Sequence, residues 1–367
     1  MRLFISLLIS VIILNLVLPS YQIVQATPHI HVSADQAVLM EQQSGRVIYD
    51  KNGHEKRPVA SITKVMTALL AIEYGQLQDE IIVSERATTV GGSSIYLEKN
   101  ERMTLEDLLY GLMLRSGNDA SVAIAEHIAG SVEGFAFLMN EKALYLGMTN
   151  TNFMNPHGLD EDGHYSSAYD IAILMRHAME NDIFQSISST KSYHSTNRDY
   201  KWFNKNKLLT HLYEYSTGGK TGFTKKAGRT LVSTAEKDDI TLIAVTLHAP
   251  NDWNDHISLY ETYFEQLENK LIEKSGKRNF VIDEEIVKGT IEQPVILALA
   301  DDEIPFVKKR TMINPSIKDS KIGSIEIQLH DEVILTVPVY NREKSLPHFI
   351  QEIKELFLKV TGFDMHG

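Results

Sequence analysis

The chain has 367 residues, 43% of them hydrophobic and 23% charged, which is enough for two domains and a sizeable core. It contains no cysteine, excluding disulfides, thiolate metal sites and a cysteine nucleophile. Its net charge of −12, with no basic stripe, argues against nucleic acid as the partner.

Residues 1–26 read as a signal peptide. Arg2 supplies a positive start, Leu3 to Leu18 form an apolar run broken by Ser6, Ser10 and Asn15, and Val24-Gln25-Ala26 offers a cleavage site. The alternative is an uncleaved anchor, for which an apolar run of about 16 residues is short. Ala37 to Met40 and Arg46 to Tyr49 are short apolar runs around Ser44-Gly45, the pattern of a β-hairpin. Ser61 to Tyr74 reads as a helix, with Ile62, Val65, Met66, Leu69, Leu70 and Ile72 mostly on one face and Gly75 at its C-cap.

Residues 104–145 are helical in pattern, opening on a Thr104 cap with early acids and breaking at Ser116-Gly117-Asn118. Tyr169 to Met179 predicts another helix, whereas 181–210 is polar without clear periodicity. From 217 the period changes to that of strands: Thr230 to Thr234 and Ile240 to Val245 flank a turn at Lys237-Asp238-Asp239. Strands, then helices, then strands predict an α+β domain with helices on an antiparallel sheet, spanning 27–276. A composition shift at 274–277 opens a small all-β domain, 277–341, in which two alternating runs flank a His330-Asp331 turn. Residues 342–367 form an amphipathic helix by pattern, with Leu346, Phe349, Ile350, Ile353, Leu356, Phe357 and Val360 on one face, Ser345 as cap and Pro347 in its first turn. It either docks on its own domain or lies in a membrane interface. Lys354 and Lys359 nearly cancel Glu352 and Glu355, so attraction to anionic lipid would be weak.

Ser61-Ile62-Thr63-Lys64 places a hydroxyl and an amine three residues apart, on one face of a helix start. A serine is a weak nucleophile without an adjacent base. A lysine can serve as that base when burial or a second cation lowers its pKa. The helix N-terminus adds N–H dipoles that favour an oxyanion. By chance a chain of this length holds roughly one or two Ser-x-x-Lys segments, and a second does occur at Ser188 to Lys191, followed by Ser195-Thr196-Asn197. That copy has no apolar helix behind it, whereas Ser61 runs directly into Val65 to Leu70. Ser116-Gly117-Asn118, in a break between helices, offers a proton relay in Ser116 and an amide donor in Asn118. Lys220-Thr221-Gly222 falls on a predicted strand, where glycines admit a substrate backbone and Lys220 and Thr221 suit a carboxylate. The three segments occur in the order Ser-x-x-Lys, Ser-x-Asn, Lys-Thr-Gly, a signature shared by class A β-lactamases and penicillin-binding proteins.

With these motifs the chain resembles the low-molecular-mass penicillin-binding proteins that act as serine-type D-alanyl-D-alanine carboxypeptidases. The likeness extends to Pro58-Val59-Ala60 before Ser61, to Leu114-Arg115 before Ser116, and to Asn155-Pro156-His157-Gly158-Leu159. It continues through Ser166 to Asp170 and through Phe223-Thr224 with Ala227-Gly228. The resemblance implies a penicillin-binding-protein/β-lactamase-like catalytic domain, followed by the small all-β domain and a C-terminal helix that holds the enzyme on the outer face of the cytoplasmic membrane. It implies Ser61 as the acylated nucleophile, Lys64 as general base and Ser116 as relay to the leaving D-alanine. It also implies Asn118, Lys220, Thr221, Gly222 and Phe223 in substrate binding, with the N–H groups of Ser61 and Phe223 as oxyanion hole. Peptidoglycan stem peptides are the expected substrate and β-lactams the covalent inhibitors, with no cofactor and no metal, His157 and His164 being expected as structural.

One departure is visible. Where some members of the family carry a carboxylate-binding arginine, 249–256 reads Ala-Pro-Asn-Asp-Trp-Asn-Asp-His. His256 is a candidate substitute, or a structural histidine. A class A β-lactamase would need a glutamate-led deacylation motif. Glu161 is the obvious glutamate, and asparagine follows it at neither expected short spacing. A D,D-endopeptidase or transpeptidase shares the acylation step, and an inactive wall-binding homologue is the alternative from another class.

Overall fold

The computed structural model describes residues 30–282, 285–314 and 320–341. The signal peptide and C-terminal helix read from the sequence lie outside them. In chain order the first strands are β1 (Gln36–Glu41) and β2 (Val47–Lys51). A 3-10 turn at Ala60–Thr63 leads into α1 (Lys64–Tyr74). Then come β3 (Glu80–Ile82), α2 (Glu85–Thr89), β4 (Arg102–Thr104) and α3 (Leu105–Tyr110). A π turn at Gly111–Arg115 precedes α4 (Asn118–Ala129) and α5 (Val132–Tyr145). Next are α6 (Ala168–Ala178), α7 (Asp182–Ser188) and the two-residue strands β5 (Ser192–Tyr193) and β6 (Trp202–Phe203). β7 (Ser216–Thr224), β8 (Gly228–Lys237) and β9 (Ile240–Leu247) run up to α8 (Asp252–Phe264).

β2-β1-β9-β8-β7 form one antiparallel sheet, so the chain's first hairpin is closed onto its later strands and β7 is left as an edge. The α+β expectation holds. The Asp238-Asp239 turn has φ of 52° and 61°, the conformation that a two-residue hairpin requires. α1 differs from the one-faced helix read from its sequence: Lys64 to Ala71 are all buried, so it runs through the core rather than along its surface. Around it pack α4, α5, α6 and the inner face of the sheet, through residues such as Leu69, Leu112, Ile124, Phe135, Ile171 and Val245.

α8 was not read from the sequence. Its polar face (Asn254, Ser258, Glu261, Glu265) masks an apolar one in which Leu259, Tyr260 and Phe264 are buried on the sheet. The polar stretch 181–210 holds α7, capped by Asn181 on the N–H groups of Ile183 and Phe184, and then short irregular pieces pinned by side-chain hydrogen bonds.

Past α8 the described chain is almost wholly β. β10 (Glu268–Glu273) pairs with β13 (Val295–Leu299). The strands β11 (Gly276–Ile282), β12 (Glu285–Ile291), β14 (Val307–Ile313), β15 (Lys321–Leu329) and β16 (Glu332–Tyr340) form a sheet in the order β11-β12-β16-β15-β14. Its own core includes Ile291, Leu297, Leu299, Ile325, Ile327 and Val339. Arg46 of the first hairpin ties this part to the rest, donating to the Ala298 carbonyl at 2.9 Å and pairing with Glu303.

Candidate active site

Ser61 owes its position to a strained neighbour. Ala60 has φ of +49°, a left-handed conformation that costs a β-carbon-bearing residue about 1–3 kcal/mol unless its surroundings impose it. They do so from three sides. Thr230 Oγ1 on β8 donates to the Val59 carbonyl at 3.0 Å. Gly158, itself at φ +81°, lies so close that a β-carbon there would sit 1.9 Å from the Ala60 oxygen. Gly222 on β7 lies where a β-carbon would be 2.9 Å from the Ser61 nitrogen and 2.4 Å from Thr230 Oγ1. We therefore expect Gly158→Ala to lower stability by at least about 2 kcal/mol and to slow modification of Ser61 by a fluorescent penicillin. Unchanged unfolding and labelling would show that this clamp is unnecessary.

Lys64 is completely buried as the first residue of α1, one turn past Ser61. Its Nζ lies 3.0 Å from Ser61 Oγ, 2.7 Å from Asn118 Oδ1 and 2.6 Å from the His157 carbonyl oxygen. Burial, and then the positive charges of Lys220 and Lys205, hold its pKa well below the ordinary lysine range, against a smaller opposing pull from Asp119. Two oxygens that can only accept, together with one hydroxyl, are what a neutral amine needs: two N–H donors and a lone pair facing Ser61. Asn118 is oriented from its other side by Nδ2, which donates to the Gly91 carbonyl at 2.6 Å. The loop carrying Gly91 is fastened by the adjacent residue, since buried Asp119 accepts from the N–H groups of Ile95 and Leu97 and from Ser94 Oγ.

Ser116 and Lys220 make a second hydroxyl–amine pair. The π turn before Ser116 ends in a left-handed residue, Ser116 itself at φ 64°, ψ 35°, and α4 starts two residues later. Lys220, buried on β7, donates from Nζ to Ser116 Oγ at 3.0 Å and to the Thr221 carbonyl at 2.8 Å. Burial and then the charge of Lys205 push its pKa down to about 7. The second Ser-x-x-Lys is part of this strand's support: buried Ser188 Oγ accepts from the Gly219 N–H at 2.9 Å, while Lys191 is exposed. Ser188→Ala strands that buried N–H. It should cost about 1–3 kcal/mol in urea unfolding and leave penicillin labelling at one site per chain. A halved labelling stoichiometry would contradict this.

Ser61, Ser116, Thr221, Gly222 and Phe223 line one open cleft of ≈ 360 Å³ beside the β7 edge. Lys64, Asn118 and Lys220 lie behind them. The cleft also holds residues that were not singled out in the sequence: Ser93, Lys205, Lys207, Arg229, Asp252 and Trp253. Lys205 and Lys207 alternate with asparagines in the polar stretch without periodicity, and nothing local marks them. A chain of net charge −12 thus presents three cations at this cleft against the carboxylate of Asp252.

The remaining candidates lie elsewhere. His256 is fully buried between the sheet and α8, bridging Ser233 Oγ (2.7 Å) and Thr246 Oγ1 (3.0 Å), and burial pushes it down to about 3. It does not reach the cleft and cannot replace the missing arginine. Asp255 is spent on the N–H groups of Ser33 and Ala34 and on Ser33 Oγ. His164 accepts from the Met154 N–H at Nδ1 and meets Thr63 Oγ1 at Nε2, while His157 Nδ1 accepts from the Leu159 N–H. Burial and then Lys64 hold these rings neutral, His157 at about 3 and His164 at about 4. Among the described residues no three His, Cys, Asp or Glu side chains are grouped to hold a metal. Glu161 accepts from Asn155 Nδ2 at 2.8 Å and is not among the residues lining the cleft.

The sequence profile of the D-alanyl-D-alanine carboxypeptidases matches residues 22–251. The chain belongs to the D-alanyl-D-alanine carboxypeptidase family. It is 35% identical to D-alanyl-D-alanine carboxypeptidase DacF of Bacillus subtilis (strain 168), across 93% of this chain and 94% of that protein. Among solved structures it is similar to penicillin binding protein 5 from Haemophilus influenzae, with TM-score 0.71 and 27% identity over 84% of this chain and 96% of that one. It is also similar to penicillin binding protein 6B from Escherichia coli, with TM-score 0.66 and 28% identity over 86% and 99%. These likenesses run past α8 into the β-rich part, so the fold is that of a D-alanyl-D-alanine carboxypeptidase with its additional sheet, and not of the catalytic core alone.

Proposed function

We propose that the chain is a serine D-Ala-D-Ala carboxypeptidase that removes the terminal D-alanine of peptidoglycan stem peptides through an acyl-enzyme on Ser61. The observation that carries this reading is the buried amine of Lys64, 3.0 Å from Ser61 Oγ and held there by two fixed carbonyl-type acceptors. Ser61 attacks the carbonyl between the two D-alanines as its proton passes to Lys64. The oxyanion meets the N–H groups of Ser61 and Phe223, an assignment supported by the close approach of Gly222 to the Ser61 nitrogen. The C–N bond breaks as Ser116, backed by Lys220, gives its proton to the leaving amine and takes up the one that Lys64 received, so that Lys64 is neutral again. Water, deprotonated by Lys64, then hydrolyses the ester and restores Ser61. Asn118 keeps Lys64 aimed, and its second amide hydrogen is the one left for a substrate carbonyl. Thr221 faces the terminal carboxylate. A β-lactam enters the same path and stops at the ester.

The test is chemical. Incubated with a pentapeptide ending in D-Ala-D-Ala, the protein should release one D-alanine per peptide. Cleavage of cross-linked muropeptides without that release would make it a D,D-endopeptidase instead, and turnover of neither would make it a wall-binding homologue.

Export and anchoring belong to the same proposal and rest on the sequence: cleavage after Ala26 delivers the chain to the wall side of the membrane, and 342–367 holds it on the surface. Deleting residues 343–367 should move the protein from the membrane fraction to the soluble one. An unchanged distribution would remove the anchor from the account.

A further inference from the structure

A carboxypeptidase must recognise that the peptide ends, so something in the cleft has to meet a free carboxylate. This question rests on the carboxypeptidase reading above. The segment 249–256 holds no arginine, and Asp255 and His256 are turned into the fold. An arginine nevertheless reaches the cleft from strand β8.

Arg229 is the second residue of β8 and is directly opposite Phe223 of β7 in the antiparallel register. Opposed residues share a face, as do residues two apart on one strand. Thr221, Phe223 and Arg229 therefore stand on one face at the sheet's edge, and all three line the cleft that Ser61 lines. The guanidinium is fixed from behind. Its Nε and Nη2 donate to Asp252 Oδ1 at 3.0 and 2.7 Å, and Nη2 donates to Oδ2 at 2.9 Å. Its Cζ lies 5.4 Å from the centre of the Trp253 ring. Nη1 makes no hydrogen bond among the described residues, and the side chain is 41% exposed while Asp252 is 3% exposed. One N–H edge is thus spent on a buried carboxylate that sets its direction, and the other is open to the cleft. Asp252 offsets the charge of Arg229, but Lys205 and Lys207 keep the cleft positive. Of the three cations, only Arg229 stands on the face that carries Thr221 and has a planar donor set suited to a carboxylate.

We propose that Arg229, aimed by Asp252 and flanked by Trp253, receives the terminal carboxylate of the substrate together with Thr221, doing from β8 what the missing arginine does in other members of the family. Arg229 is then a specificity-determining residue and Asp252 a positioning residue.

The test compares D-alanine release from a pentapeptide acid with D-alaninamide release from the same peptide carrying a C-terminal amide. A site built to pair a charged group loses heavily on an analogue lacking it, so the wild type should favour the acid by at least about tenfold in kcat/KM. The double variant Arg229→Gln, Asp252→Asn removes the cation without leaving a buried carboxylate alone. It should lose that preference, falling at least about tenfold on the acid and less than about twofold on the amide. A fold-wide defect would lower both. Arg229→Lys, which retains a partner for Asp252, should lower the acid rate several-fold and spare the amide. The proposal is overturned if the wild type does not discriminate, if the double variant keeps the acid-to-amide ratio, or if the ratio survives there and collapses in Lys205→Ala. Failure of the wild type on both peptides would overturn the carboxypeptidase reading itself, and this inference with it.

Discussion

Ser61→Ala is expected to lower D-alanine release by at least about 10⁴-fold and to abolish covalent labelling by a fluorescent penicillin. The size follows from how such units behave: removing a nucleophile from a coupled set forfeits nearly all the catalysis that the set provides. No hydroxyl stands ready to take over. Ser116 Oγ is paired with Lys220 rather than Lys64, Ser188 Oγ is buried on the Gly219 N–H, and Ser93 Oγ accepts from Lys205. Losing one hydroxyl at the cleft wall should leave unfolding within about 0.5 kcal/mol of the wild type. Residual labelling of the alanine variant at a defined residue would mean that the nucleophile is misassigned.

Lys64→Met should separate activity from folding. The general-base contribution is about 10²–10⁴-fold, and acylation should fall by that much or more. Stability responds to opposed effects. Asn118 Oδ1 and the His157 carbonyl lose their donor, at about 1–3 kcal/mol each, while the protein no longer has to bury an amine at full desolvation. The sum is small beside the kinetic loss. The same residue sets the pH profile. Only neutral Lys64 can take the proton, so the acylation rate rises with pH through a pKa that burial and the charge of Lys220 hold well below the lysine range. Removing that charge by Lys220→Gln raises the pKa of Lys64 and should carry the acid limb to higher pH, whatever it does to the maximum rate. An acid limb that stays in place would mean that Lys64 is not the titrating base.

Much of the fold was legible because its signals are local. The Ser44-Gly45, Asp238-Asp239 and His330-Asp331 turns, the Thr104 cap and the apolar run after Ser61 each announce an element within a few residues. α8 was missed because its buried face is broken by polar residues that find partners only in the sheet: His256 on Ser233 and Thr246, and Tyr260 on the Ser233 oxygens. The three motifs named the residues that surround Ser61, yet their meaning depends on distant chain. The strain at Ala60 is imposed by Gly158 and Thr230, and the orientation of Asn118 by Gly91. Arg229 had no signal of its own. It becomes visible when β7 and β8 are set in register and Asp252, 23 residues on, is found beneath it.

The most direct test is to catch the intermediate. The protein is mixed with a D-Ala-D-Ala pentapeptide, quenched with acid within milliseconds, and mapped by mass spectrometry after digestion. Acylation at Ser61 requires a tetrapeptidyl ester on the fragment containing that residue, formed with one equivalent of D-alanine and absent from the Ser61→Ala protein. An ester on another residue, or D-alanine released with no acyl-enzyme at any quench time while the same protocol traps the penicilloyl ester, would contradict it.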